Sequence, residues 1–218
     1  MEGQAAVFID VDGVLLDVTG RYHAVYSEIL SQLGGAPLEL DEYWRLKRSG
    51  ASTRELTGLE PDRAKEFQRR WNQLLEAPAY LELDRWLPQA RTAVVLLAAS
   101  YTVVAFGLRR KPDAFREQLR ALTFPKLAQV LVAAPKGDAG EAKARLIEGS
   151  PHFTRNAVIV GDAESDIRAG RELGLTTVAV RGGLRGDAQL AGESPDLTLD
   201  GVAELPSTLR RLFVGGRP

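Results

Sequence analysis

The 218-residue chain has no cysteine, so disulfides and thiol chemistry are excluded. No charge of one sign dominates: 28 Lys and Arg stand against 29 Asp and Glu, a formal net charge of -1. The signs are interspersed, so there is no basic stripe of the kind nucleic-acid binding needs. Long hydrophobic runs are also missing. The longest, Ala93 to Ala99, is too short to cross a bilayer. No leader peptide is expected, because the N-terminus runs straight into a strand pattern. These absences point to a cytoplasmic protein without nucleic-acid or membrane partners. An apolar fraction of 44% is enough for an ordinary globular core. The length fits one large domain, or one domain with an insertion.

What is present begins with Ala5-Ala6-Val7-Phe8-Ile9, the apolar run of a strand buried on both faces. It delivers Asp10 and Asp12, followed at once by Gly13. Residues two apart on a strand point the same way. Two acids there call for a counter-charge, such as a divalent cation, a phosphoryl group or both. A second segment repeats the theme. Ala157-Val158-Ile159-Val160 leads through Gly161 to Asp162 and Asp166, with Glu164–Leu173 reading as a helix stopped by Gly174. Lys136 follows the apolar strand Val130-Leu131-Val132, and Gly107 ends the strand Tyr101–Phe106.

Strand and helix patterns alternate through most of the chain. That predicts an α/β fold: a parallel sheet with right-handed crossovers and helices on both faces. Sites in such sheets lie at the carboxyl ends of the strands, where Asp10, Gly107, Lys136 and Asp162 all fall. Residues 21–84 differ. They carry helical stripes such as Tyr22, Val25, Tyr26, Ile29, Leu30 and Leu33, and no strand signal.

Asp10-Val11-Asp12-Gly13-Val14-Leu15 and Gly161-Asp162 through Asp166, with Lys136 between them, resemble the motifs of the haloacid dehalogenase (HAD)-like hydrolase superfamily, in particular its phosphoglycolate phosphatase and beta-phosphoglucomutase branch. The resemblance implies a Rossmann-like core of residues 1–20 and 85–218 with an inserted α-helical cap of residues 21–84. It implies a phosphatase for a small phosphorylated metabolite, acting as monomer or homodimer. Asp10 would be the nucleophile, Asp12 the general acid and base, and Lys136 the neutralising charge. A magnesium ion would be held by Asp10, Asp12 through its main-chain carbonyl, Asp162 and Asp166. Where the superfamily places Ser or Thr, this chain has Gly107. Gly107, Leu108 and Arg109 are then left to bind the phosphoryl group.

The cap loop Gly50-Ala51-Ser52-Thr53-Arg54-Glu55 is a looser version of the loop with which mutases of this branch grip a second phosphate. Lys47, Arg48 and Arg54 are therefore expected to select the substrate. A phosphotransferase, and a phospholigand-binding protein weakened at Gly107, remain open alternatives. The cap is expected to hinge near residues 17–20 and 83–85.

Overall fold

The computed structural model describes residues 5–125 and 127–214. The remaining residues assigned to the core by sequence lie outside that range. Along the chain, β1 (Ala6–Asp10) and β2 (Leu16–Asp17) precede four helices: α1 (Thr19–Gln32), α2 (Leu40–Arg48), α3 (Pro61–Leu74) and α4 (Pro78–Leu81). There follow β3 (Arg85–Trp86), α5 (Ala90–Ala98), β4 (Thr102–Leu108), α6 (Pro112–Ala121), β5 (Gln129–Ala133) and α7 (Ala139–Glu148). The last elements are β6 (Val158–Gly161), α8 (Glu164–Leu173), β7 (Thr176–Val180), α9 (Asp187–Gly192), β8 (Leu197–Leu199) and α10 (Leu205–Val214).

Six strands form one parallel sheet in the order β5-β4-β1-β6-β7-β8. The continuous apolar strands are explained by burial on both faces. Val7, Ile9, Val103, Val158 and Val178 pack with α5, α6 and α10 on one side. The alternate residues Ala6, Phe8, Val104, Phe106 and Ile159 pack with α7 and α8 on the other. β1 lies at the centre, and the chain leaves it toward β4 on one side and β6 on the other. That is a topological switch point, where the strand ends open into a crevice.

Helices α1 to α4 have their own core of Val25, Tyr26, Ile29, Leu30, Tyr43, Trp44, Phe67 and Trp71. The chain enters and leaves them through a short antiparallel ribbon, β2 with β3, in which Leu16 faces Trp86 and Asp17 faces Arg85. Sequence periodicity carried no sign of these two-residue strands. They bring both crossings side by side, as expected for residues 17–20 and 83–85. Side chains also tie the helical unit to the core. Arg48 Nε and Nη2 donate to the Gly183 and Gly182 carbonyls, each at 3.0 Å. Across the crevice, the Glu76 carboxylate accepts the main-chain N–H groups of Arg110 and Lys111 at 2.9 and 2.7 Å.

Candidate active site

The acids expected from sequence do converge. Asp10 ends β1, Asp162 follows β6, and Asp166 stands in the first turn of α8. Each offers an oxygen within 4.8 Å of the others, and all three are buried. Glycines allow this crowding. A Cβ on Gly183 would lie 2.1 Å from Asp162 Oδ2, and one on Gly161 would lie 2.1 Å from Asp166 Cγ. Gly13 also presses on Asp162 and has a φ of +78°, a conformation that favours glycine.

The counter-charge is Lys143, on α7. Its Nζ donates to Asp10 Oδ2 and Asp166 Oδ1, each at 2.6 Å. Burial opposes its charge, but the two carboxylates more than offset that and raise its pKa. Lys136, assigned this role by sequence, does not take it. Its side chain is exposed on the loop after β5, and it forms no ion pair among the described residues. α7 packs on the sheet through Ala144 and Ile147, which brings Lys143 to Asp10. The overlooked signal was periodicity. Gly140, Lys143, Ala144 and Ile147 share the buried stripe of α7, and a lysine on such a stripe needs a partner.

One lysine does not neutralise three acids. Burial, followed by the nearby Asp10 and Asp166 charges, pushes the Asp162 carboxyl well above its usual range. Burial also pushes Asp166 up, against the pull of Lys143. Asp162 Oδ2 accepts the Leu184 N–H at 2.5 Å, but Oδ1 is buried without a hydrogen-bond partner. Hard oxygen donors, excess negative charge and an orphaned oxygen fit a small divalent cation.

Asp12 sits beside this cluster but faces another way. Its Oδ2 meets Arg21 Nη2 at 2.7 Å and its Oδ1 meets Arg109 Nη2 at 2.5 Å. Burial would raise its pKa, but Arg109 and then Arg21 hold it below the usual value. Arg21 is wholly buried in the first turn of α1, and sequence reading passed over it. The stripe Arg21, Val25, Ile29 carries the same signal as Lys143.

A cavity of about 200 Å³ opens over these groups, lined by Asp10, Asp12, Tyr22, Gly107, Arg109 and Lys143 among others. Leu108 also lines it. Gly107 is not forced into a glycine-only conformation. A Cβ there would meet Phe115 Cζ at 3.6 Å and Asp10 Oδ1 at 3.9 Å, both ordinary contacts. The Arg109 guanidinium lies 4.8 Å from the Phe115 ring centre. It therefore reaches Asp12 over the ring that neighbours the missing side chain.

The expected cap residues divide. Arg48 is engaged by the Gly182 and Gly183 carbonyls and does not line the cavity. Arg54 is exposed and borders a different depression with Ser52, Glu55 and Gly58. Lys47 is the buried one, 8% exposed, with its ammonium 5.9 Å from the Tyr22 ring centre. Burial, and then the positive charge of Arg185, lower its pKa to about 8.

Comparison with known proteins agrees with this arrangement. A family model described as HAD-hydrolase-like matches residues 109–205. A phosphoglycolate phosphatase of Synechococcus elongatus is 24% identical over 212 residues, covering 95% of this chain and 98% of its own. A haloacid dehalogenase-like hydrolase of Streptococcus pneumoniae superposes with a TM-score of 0.77 at 18% identity, over 96% of this chain and 100% of that one. A structure described as a putative beta-phosphoglucomutase of Thermotoga maritima gives 0.68 at 19% identity, over 95% and 99%. The chain is thus similar to haloacid dehalogenase-like hydrolases, in sequence over residues 109–205 and in fold over almost its whole length.

Exchanging the two candidate lysines tests which one serves the acids. Lys143→Met strands three buried carboxylates and should cost about 3–5 kcal/mol in urea unfolding at pH 8. Asp162 and Asp166, already pushed up by burial, are pushed further up when the ammonium is gone. Their contribution to stability is lost as pH rises through those values, so the deficit should shrink as pH is lowered toward 5. Lys136→Met, at an exposed position, should change stability by about 0.5 kcal/mol or less.

Proposed function

We propose that the chain is a magnesium-dependent phosphatase that hydrolyses a small phosphorylated metabolite through an aspartyl-phosphate on Asp10. The observation that carries this reading is the buried cluster of Asp10, Asp162 and Asp166, held by Lys143 and left with an orphaned oxygen on Asp162. Asp10, Asp162 and the Asp12 main-chain carbonyl would hold the ion, with Asp166 beside them. When bound, magnesium supplies charge neutralisation for the phosphoryl group.

The chain's own residues supply the remaining chemistry. An Asp10 oxygen attacks phosphorus as the ester P–O bond breaks, and Asp12, which takes up a proton from solvent once Arg109 leaves its Oδ1, passes that proton to the departing oxygen. Water then attacks the aspartyl-phosphate, Asp12 takes its proton, and inorganic phosphate leaves with Asp10 restored. Lys143 steadies the negative charge on Asp10 throughout.

The double arginine clamp fits this scheme once substrate is considered. A phosphoryl group arriving over Asp10 is a stronger attractant for Arg109 than the single charge of Asp12. Arg109 turns to it, takes over the role of the absent hydroxyl and frees Asp12 Oδ1. The same clamp also favours the alternative of a binding protein with its acid locked, and turnover decides between the two. Phosphotransfer is less well supported, because Arg54 and its loop stand apart from the cavity.

The helical unit of residues 21–84 serves as the cap, opening on the β2–β3 ribbon to admit substrate and closing to exclude water. Within it Lys47 is buried beside Tyr22, which lines the cavity, and its charge would suit a leaving group carrying an acidic substituent.

Wild-type protein should release p-nitrophenol from p-nitrophenyl phosphate when magnesium is supplied and lose that activity reversibly in EDTA. Asp10→Asn should be folded and inactive. A folded wild type that is inactive with magnesium would overturn the phosphatase reading.

Gly107→Ser should raise turnover, because the strand end has room for the side chain and the new hydroxyl donates to the phosphoryl oxygen. A gain of about fivefold to tenfold corresponds to roughly 1 kcal/mol for that bond, read in kcat on the same ester.

Lys47 loses its proton as pH rises through about 8. KM for a carboxylate-bearing phosphate ester should therefore climb between pH 7 and pH 9, while KM for p-nitrophenyl phosphate stays flat. Lys47→Met should remove that difference in pH dependence.

A further inference from the structure

Arg21 does more than pair with Asp12. Its Nε lies 3.1 Å from Asp84 Oδ1, and both side chains are wholly buried. Neither atom is aligned for a hydrogen bond, so the attraction is coulombic. A third contact runs from Nη1 to the Leu75 carbonyl at 3.4 Å. Asp84 is held in turn from outside the site. Gln118 Nε2, on α6, donates to Asp84 Oδ2 at 2.6 Å and to the Leu81 carbonyl at 3.3 Å. Gln118 and Asp84 border a separate cavity of about 500 Å³ at the base of the helical unit, and neither lines the one above Asp10.

The chain of contacts thus runs Gln118, Asp84, Arg21, Asp12. Arg21 belongs to the first crossing into the helical unit, and Asp84 to the second. One guanidinium therefore fixes the Asp12 carboxylate against both crossings at once. Arg109 cannot serve this purpose, because it follows β4 in the core and is the clamp partner released to substrate. An acid that must reach a leaving oxygen needs one of its own oxygens anchored when the other is freed.

We propose that Arg21 and Asp84 are positioning residues for Asp12, anchoring its Oδ2 so that Oδ1 is aimed at the leaving group. This rests on the phosphatase reading above. It predicts an effect that depends on the leaving group. A nitrophenolate departs with little help from an acid, whereas an alkoxide needs its proton.

The test compares p-nitrophenyl phosphate with an alkyl phosphate in wild type, Arg21→Lys, Asp84→Asn and Gln118→Met, each checked for folding by circular dichroism. Arg21→Lys keeps the charge but cannot bridge both carboxylates. It should lower kcat/KM on the alkyl ester, which reports the step that breaks the ester bond, about tenfold or more and leave kcat/KM for p-nitrophenyl phosphate much less affected. Asp84→Asn and Gln118→Met should show the same selective loss to a smaller degree. Combining Asp84→Asn with Arg21→Lys should add little, because Asp84 acts through Arg21. A purely structural role would slow both esters equally. If wild type is active and the folded variants keep its ratio between the two esters, the positioning role is overturned alone. If wild type turns over neither ester, the phosphatase reading falls and the positioning role falls with it.

Discussion

The molecule is organised around negative charge concentrated where β1 and β6 end. Three carboxylates share a buried space with one ammonium, that of Lys143. Unpaired, such charges would cost several kcal/mol each to bury. Surrounding features follow from that constraint. Glycines at 13, 161 and 183 let main chain and carboxylates approach closely. α7 must lie close enough over the sheet for Lys143 to reach both Asp10 and Asp166. The excess charge that remains is what would attract a cation, and the cation in turn a phosphoryl group.

Asp12 shows how one fold keeps adjacent acids in different roles. It is two residues from Asp10, yet its side chain belongs to a separate electrostatic neighbourhood. Burial, and then the other acids of the cluster, push the Asp162 and Asp166 carboxyls up, whereas Arg109 and Arg21 hold Asp12 down. Two neighbouring acids with opposite pressures are a common basis for dividing labour at an active site. Here the division is made by positive charge brought from elsewhere in the chain, from just after β4 in one case and from the helical unit in the other.

Much of the core was legible because buried parallel strands announce themselves as apolar runs, and α8 has the bounds that the sequence suggests. Asp10, Asp12, Asp162 and Asp166 were legible because acids that close such runs need a shared explanation. What escaped was cationic. Lys136 had the favoured place after a strand, yet it faces solvent. Lys143 and Arg21 looked like ordinary helical charges until their stripes were compared with the apolar residues beside them. Arg48 shows the opposite error. An arginine in the right segment of the helical unit spends its donors on main-chain carbonyls of Gly182 and Gly183. The β2–β3 ribbon was invisible because two residues are too few to establish a period.

Gly107 changes meaning once its neighbours are known. In the sequence it reads as a lost hydroxyl. In the fold it lies beside Phe115, over which the Arg109 guanidinium is placed. A flat cation laid on an aromatic face keeps its fork free at the edges, and that edge reaches Asp12. The position thus exchanges a short, fixed neutral donor for a longer charged one with two places to bind. A fixed hydroxyl serves only the phosphoryl group. An arginine can hold Asp12 while the cavity holds no substrate and turn to phosphate when it does. On the proposed reading, the glycine at 107 and the clamp on Asp12 are parts of one arrangement, in which the acid is restrained by the same group that would receive the substrate.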